Sequence, residues 1–203
     1  WMGMVRSTMA HATIDGVDTS AAAGMPGVHA VYTGPQLMDM GLWAAPLPCA
    51  WPVTPDMVNP AHYPVATGEV HHVGEIIAVV LADTRARAAD AAEQVEVSYG
   101  PLPAVASIAE ARTDGAKAHS ELASNKSYTW ALVPDPAALD AAFAAATHHI
   151  TAEFTQQRLI PVPMEPRGVL AVPGVAGGDV TIYSSSQVPH FLKILLAATT
   201  GIP

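Results

Sequence analysis

Hydrophobic and polar positions alternate along this chain in short runs that glycine and proline interrupt. Residues 4–7 and 10–14 predict two strands with a kink between them, closed by a turn at Asp15-Gly16. Asp18 or Thr19 then caps a short helix through Ala23, which Gly24 and Pro26 stop. A third strand over 28–32 ends at Thr33-Gly34-Pro35. No regular element is expected over 42–64, because Pro46, Pro48, Pro52, Pro55, Pro60 and Pro64 remove donors and fix φ throughout. Residues 69–74 and 76–81 predict strands around a glycine bend. The second is apolar without interruption and reads as buried on both faces, Leu81 included. Asp83 is placed to cap a helix over 84–94 whose Ala86, Ala89 and Ala92 allow close packing. A strand at 95–99, a turn at 100–103 and a short helix at 108–112 complete this half.

The polar, glycine-containing stretch 112–119 is the expected domain boundary, giving units 1–112 and 113–203. Beyond it, Asp135 or Pro136 opens a helix through Ala145, with Leu139 and Phe143 four apart on one face. His148-His149-Ile150 leads towards a strand that includes Phe154-Thr155-Gln156, and Pro161, Pro163 and Pro166 bracket the turn that follows. Strands at 168–172 and 180–183 flank a glycine-rich hairpin. Ser184-Ser185-Ser186-Gln187 then precedes an apolar run, 191–198, with helical character. The pattern as a whole is α+β. A strand end followed by hydroxyls, a glutamine and a helix start is a place where backbone N–H groups point out at a ligand.

Composition narrows the chemistry. Half of the residues are hydrophobic, 13% are charged and the net charge is −9, which describes a packed globular chain with no clustered basic face for nucleic acid. The apolar run 76–82 is far too short to span a membrane. Cys49 stands alone in the proline-rich loop with no base or helix start beside it, so it reads as a bystander. The pairs His71-His72 and His148-His149 fall in expected strands, where successive side chains point to opposite faces. With no HExxH or Cys/His spacing either, no protein-held metal is expected. Glu165 has Arg158 and Arg167 near it in sequence, and a buried ion pair pinning the turn is the favoured reading. Ser184, Ser185 and Ser186 lack a His/Asp partner that would make one a nucleophile. On side-chain chemistry alone, Gln187 reads as a helix-start or strand-edge contact.

Two strings carry a resemblance: QQRLIPVPMEPRGVLAV with VTIYSSSQVPHFLKILLAATTGIP, and VGEIIAVVLADTRARAADAAEQVEVSYGPLPAV upstream. Together they resemble the large, molybdopterin-binding subunit of the xanthine dehydrogenase, aldehyde oxidase and carbon monoxide dehydrogenase family. Arg6-Ser7-Thr8-Met9 departs from the Arg-Ser-Pro-His usual there. The resemblance implies an α/β hammerhead domain over 1–112, starting inside its first strand, and the beginning of a molybdopterin-binding domain over 113–203. It implies a cytoplasmic molybdenum hydroxylase that oxidises an aldehyde, an N-heterocycle or CO, takes oxygen from water and passes electrons to iron–sulfur and flavin partners. Molybdopterin in its cytosine dinucleotide form is the implied cofactor. Gln187 is implied to lie within hydrogen-bond reach of a molybdenum oxo ligand. The family's glycine-rich cofactor grip and catalytic glutamate come later than Pro203, so this chain alone is expected to be inactive. A non-catalytic chain that docks on a partner is the alternative.

Overall fold

The computed structural model describes residues 1–48, 54–175 and 177–202; the expectation for Cys49 lies outside the described residues. The chain divides into two units, one of Trp1–Tyr128 with Val188–Pro203 and the other of Thr129–Gln187.

The first unit runs β1 (Met2–Arg6), β2 (Ala12–Asp18), α1 (Ser20–Ala23), β3 (Val28–Thr33), α2 (Gly34–Asp39), β4 (Glu69–Val70), β5 (Ile76–Ala82), α3 (Arg85–Ala92), β6 (Glu96–Pro101) and α4 (Ile108–Thr113). Two antiparallel sheets result, ordered β1-β5-β3 and β4-β2-β6. β5 is the central strand of the first because its side chains are apolar on both faces. Ile77, Ala78 and Val80 are fully buried, and Val5, Ala22, Ala91 and Val95 join Ala78 and Val80 in one core cluster. Ala12, Ala66, Val70 and Ile77 form the other. Leu81, by contrast, is 37% exposed. The burial of β5 on both faces therefore fails at this one position, although Ala82 beside it is buried.

The helix after β5 is capped by Thr84, whose Oγ1 accepts from the Arg87 N–H at 3.2 Å. Asp83, the expected cap, instead pairs with Arg87 at 3.0 Å. Ala88 and Ala91 are the buried alanines of α3, not Ala86 and Ala89, which are exposed. Together with Val95 they repeat at spacings of three and four, so the core-facing stripe is fixed by the strand that follows. Gly3 of β1 lies against this helix, and a Cβ there would sit 2.3 Å from the Ala88 carbonyl oxygen.

Two turns expected from sequence are other structures. Asp15-Gly16 does not close β2: the strand continues to Asp18 through a bulge between Ile14 and Gly16, because β6 pairs with it on both sides. Thr33-Gly34-Pro35 opens α2, with Thr33 and Gln36 forming a reciprocal capping box. Residues 71 and 72 form no strand, since β4 ends at Val70. Among the described residues of 42–64 no helix or strand forms, as the prolines require.

The second unit holds α5 (Pro136–Ala145), capped by Asp135 through the Ala138 N–H at 3.1 Å, and the hairpin of β7 (Val169–Pro173) and β8 (Val180–Ser184). The expected strand at Phe154-Thr155-Gln156 is absent, as is any element at His148-His149. A strand needs a neighbour to satisfy its backbone, and none pairs with this stretch among the described residues. Glu165, Arg158 and Arg167 are all exposed, and no ion pair of Glu165 occurs among the described residues, so the buried pair is not formed. The chain then returns to the first unit as α6 (Pro189–Thr200).

Candidate functional site

Gln187 lies three residues beyond the end of β8 and is exposed. No hydrogen bond of its side chain occurs among the described residues, so its amide is not spent on a cap or a strand edge. In α6, Pro189 occupies the first turn and no side chain caps the start. The first intrahelical bond runs from the Leu192 N–H to the Val188 carbonyl at 3.0 Å. The N–H groups of His190 and Phe191 precede it and are open to an oxygen-bearing group. Ser185 Oγ accepts from the Gly168 N–H at 3.5 Å, a long contact that ties the two ends of the hairpin.

A second concentration of chemistry lies in the first unit, where the sequence expectation gave none. Glu69 comes at the start of β4, which pairs with Ala12 and Thr13 and so brings His11 alongside. His11 is buried, donates from Nδ1 to the Pro103 carbonyl at 2.7 Å, and sets Nε2 2.7 Å from Glu69 Oε1. Glu69 also accepts from the Ser120 backbone N–H at 3.1 Å and from the Ser120 hydroxyl. After β4 the chain turns at Gly74, whose φ of +91° suits only a residue without a Cβ. That turn lets the buried Glu75 carboxylate reach back to the His71 N–H at 2.6 Å. His71 Nδ1 lies 3.5 Å from Glu75 Oε2, and its Nε2 lies 3.4 Å from Glu69 Oε1.

The ring of His119 stacks on His71 with centroids 4.0 Å apart, and Glu121 Oε1 lies 3.6 Å from His119 Nδ1. These charges bias one another. Hydrogen bonding to Glu75 raises the His71 pKa, against burial, and the charges of Glu75, Glu69 and Glu121 add to the rise. Burial lowers that of His119, and the positive charge on His71 lowers it further. Burial pushes the Glu69 and Glu75 carboxyls up, but their hydrogen bonds and the neighbouring histidine charge outweigh it and hold both low. His71 and His119 are 48 positions apart (119 − 71), which is why spacing rules for local ligand pairs miss them. An open groove of about 690 Å³ beside β1 and α3 contains none of these residues.

A hammerhead domain joined to a cofactor-binding domain is the class that the fold and the sequence define together. Residues 1–103 match the aldehyde oxidase and xanthine dehydrogenase a/b hammerhead domain, and residues 118–203 match the molybdopterin cofactor-binding domain. The chain belongs to the aldehyde oxidase and xanthine dehydrogenase family of molybdopterin enzymes, in the region of its large subunit. It is 34% identical to the carbon monoxide dehydrogenase large chain of Hydrogenophaga pseudoflava, covering 100% of this chain and 26% of that one. It is 33% identical to the nicotine 6-hydroxylase large subunit of Paenarthrobacter nicotinovorans, covering 97% and 23%. The structure superposes on quinoline 2-oxidoreductase from Pseudomonas putida 86 with a TM-score of 0.88 at 31% identity, covering 100% of this chain and 25% of that one. The chain thus spans about a quarter of the length of these relatives. The family's members are molybdenum oxidoreductases, and no described helix is long and apolar enough to cross a membrane.

Proposed function

We propose that this chain is the hammerhead domain and the opening of the cofactor-binding domain of a molybdenum hydroxylase large subunit. Its substrate class is CO, an aldehyde or an N-heterocycle, the range its relatives' names span. The domain boundary stays at residue 112, a placement supported by matches that stop at 103 and resume at 118. Relatives named as a large chain or a large subunit support further subunits, here carrying iron–sulfur and flavin groups. Molybdopterin in its cytosine dinucleotide form is the proposed cofactor, and when bound it supplies the two-electron acceptor for oxidation with water as the oxygen source.

The observation that carries this reading within the chain is the unspent side-chain amide of the exposed Gln187. It is a hydrogen-bond donor with no partner among the described residues, and it suits an oxygen-rich group. In this reading Gln187 orients the metal end of the cofactor by donating from its amide. Gln187→Ala in the complete enzyme is expected to retain molybdenum and lower kcat about 10²–10³-fold, as loss of a preorganised donor does. Ser184→Ala, which removes a hydroxyl at the end of β8, is expected to leave kcat within about threefold and cost about 1 kcal/mol at most. Unchanged turnover in Gln187→Ala at full molybdenum occupancy would leave Gln187 no part in the site.

A further inference from the structure

The cluster at His71 and His119 is built more fully than a structural ion pair requires. His119 Nδ1 is buried with no hydrogen-bond partner among the described residues. Glu121 Oε1, at 3.6 Å from it, is beyond hydrogen-bonding reach. The buried imidazole nitrogen and the carboxylate facing it therefore make no hydrogen bond with each other. One ligand atom each from His71, His119 and Glu121 falls within 4.8 Å of the other two.

The surroundings match what such a centre needs. Whichever His71 nitrogen takes a metal, the other faces a carboxylate: Glu75 lies at Nδ1 and Glu69 at Nε2. A carboxylate behind a ligating histidine fixes the ring and raises its basicity. Glu69, Glu75 and Glu121 bring three carboxyl groups to two stacked rings whose centroids are 4.0 Å apart.

The loop that delivers His119 and Glu121 is fixed in advance. Asp114, in the left-handed region at φ 53°, accepts from the Asn125 N–H at 2.7 Å and the Ser124 hydroxyl at 3.0 Å. Asn125 in turn donates from Nδ2 to Ala111 and Ala116 and accepts from the Ala118 N–H at 2.8 Å.

We infer that His71, His119 and Glu121 bind a divalent cation of the zinc class. Two imidazole nitrogens and one carboxylate oxygen suit zinc, cobalt or nickel and do not suit magnesium or calcium, which prefer oxygen. Three protein ligands leave a fourth position for water or an exogenous ligand. The assignment does not rest on the molybdenum reading and stands or falls separately from it.

The test is metal binding by the full chain after chelator treatment. Calorimetric titration with Zn²⁺ is expected to give one site per chain in the micromolar range or tighter. Co²⁺ is expected to give the visible d–d bands of a four- to five-coordinate centre. His119→Ala and, independently, Glu121→Gln are each expected to weaken binding at least about tenfold and to alter the Co²⁺ bands, with circular dichroism unchanged. Glu121 is exposed, so its variant keeps the fold even if the His119 variant does not. The double variant at His148 and His149 is the control for chance binding by exposed histidines and is expected to retain the site. No saturable Zn²⁺ binding, or binding that survives Glu121→Gln and falls in the His148/His149 variant, would overturn the assignment.

Discussion

Asp114 is the residue on which the 114–126 loop turns, and its chemistry sets a pH dependence. Its carboxyl is held below its ordinary value by the Asn125 N–H, then by the Ser124 hydroxyl, with Lys117 contributing both a hydrogen bond and charge. Lys117 Nζ lies 3.4 Å from Asp114 Oδ1 and is the charged group facing it. A carboxylate with a lowered folded pKa adds stability that is complete above its unfolded value and disappears as pH falls through the folded one. The protection of the Asn125 amide relative to its intrinsic exchange rate is therefore expected to be high at neutral pH and to fall only in the acid range below the usual aspartate pKa. Asp114→Asn should remove that dependence, and equal exchange in the two proteins across the acid range would contradict the assignment. Asn125→Ala deletes three side-chain hydrogen bonds, on a half-buried residue, and is expected to destabilise the first unit by about 1–2 kcal/mol in thermal melts. None of these partnerships was legible in the sequence. RTDGAKAH reads as a polar, glycine-containing stretch, but nothing in its composition says that Asp114 will clamp Asn125, eleven residues later, and so present His119.

At the scale of elements, β5 and α3 decide whether the first unit folds. Val80 is fully buried in the main cluster, so Val80→Asp places an unpaired carboxylate there and is expected to abolish the cooperative melt of this unit. Leu81→Asp, one residue along, should cost far less, because that side chain is already 37% exposed. Gly3→Ala is expected to cost about 1–3 kcal/mol, since its Cβ would meet backbone atoms of Ala88 that cannot move independently of α3. Equal melting of the Val80 and Leu81 variants would mean that the core is misplaced. The sequence was a good guide here wherever periodicity alone is decisive: β5, α3, β6, β7 and β8 fall within a residue or two of expectation. It failed where one element's phase depends on another. The alanines of α3 occur on every face, and only Val95 and the sheet below select Ala88 and Ala91. At Thr33-Gly34-Pro35 a strand end was expected, whereas Thr33 and Gln36 form a capping box that starts α2.

At the scale of the whole molecule the two units differ in what holds them. The first has two buried clusters, whereas in Thr129–Gln187 every described residue except Gly174 is exposed. Ile150, Phe154, Ile160 and Met164 stand at 92, 89, 87 and 103% exposure, although such side chains each contribute about 1.5–3 kcal/mol when buried. A segment with this composition and no core cannot offset the entropy of ordering its own backbone. In the complete large subunit proposed above, those side chains are expected to be covered, and in this chain alone they are not. Hydrogen exchange on the isolated chain should accordingly show amides of 148–168 exchanging at near-random-coil rates, while those of β5 and β1 exchange only on global unfolding. Trypsin should cut first at Arg158 and Arg167, leaving a resistant species that contains residues 1–128. The same arginines in the assembled enzyme should resist cleavage under identical conditions. Slow exchange over 148–168 in the isolated chain would show that this segment holds its conformation without a cover, and the dependence on the rest of the subunit would have to be abandoned.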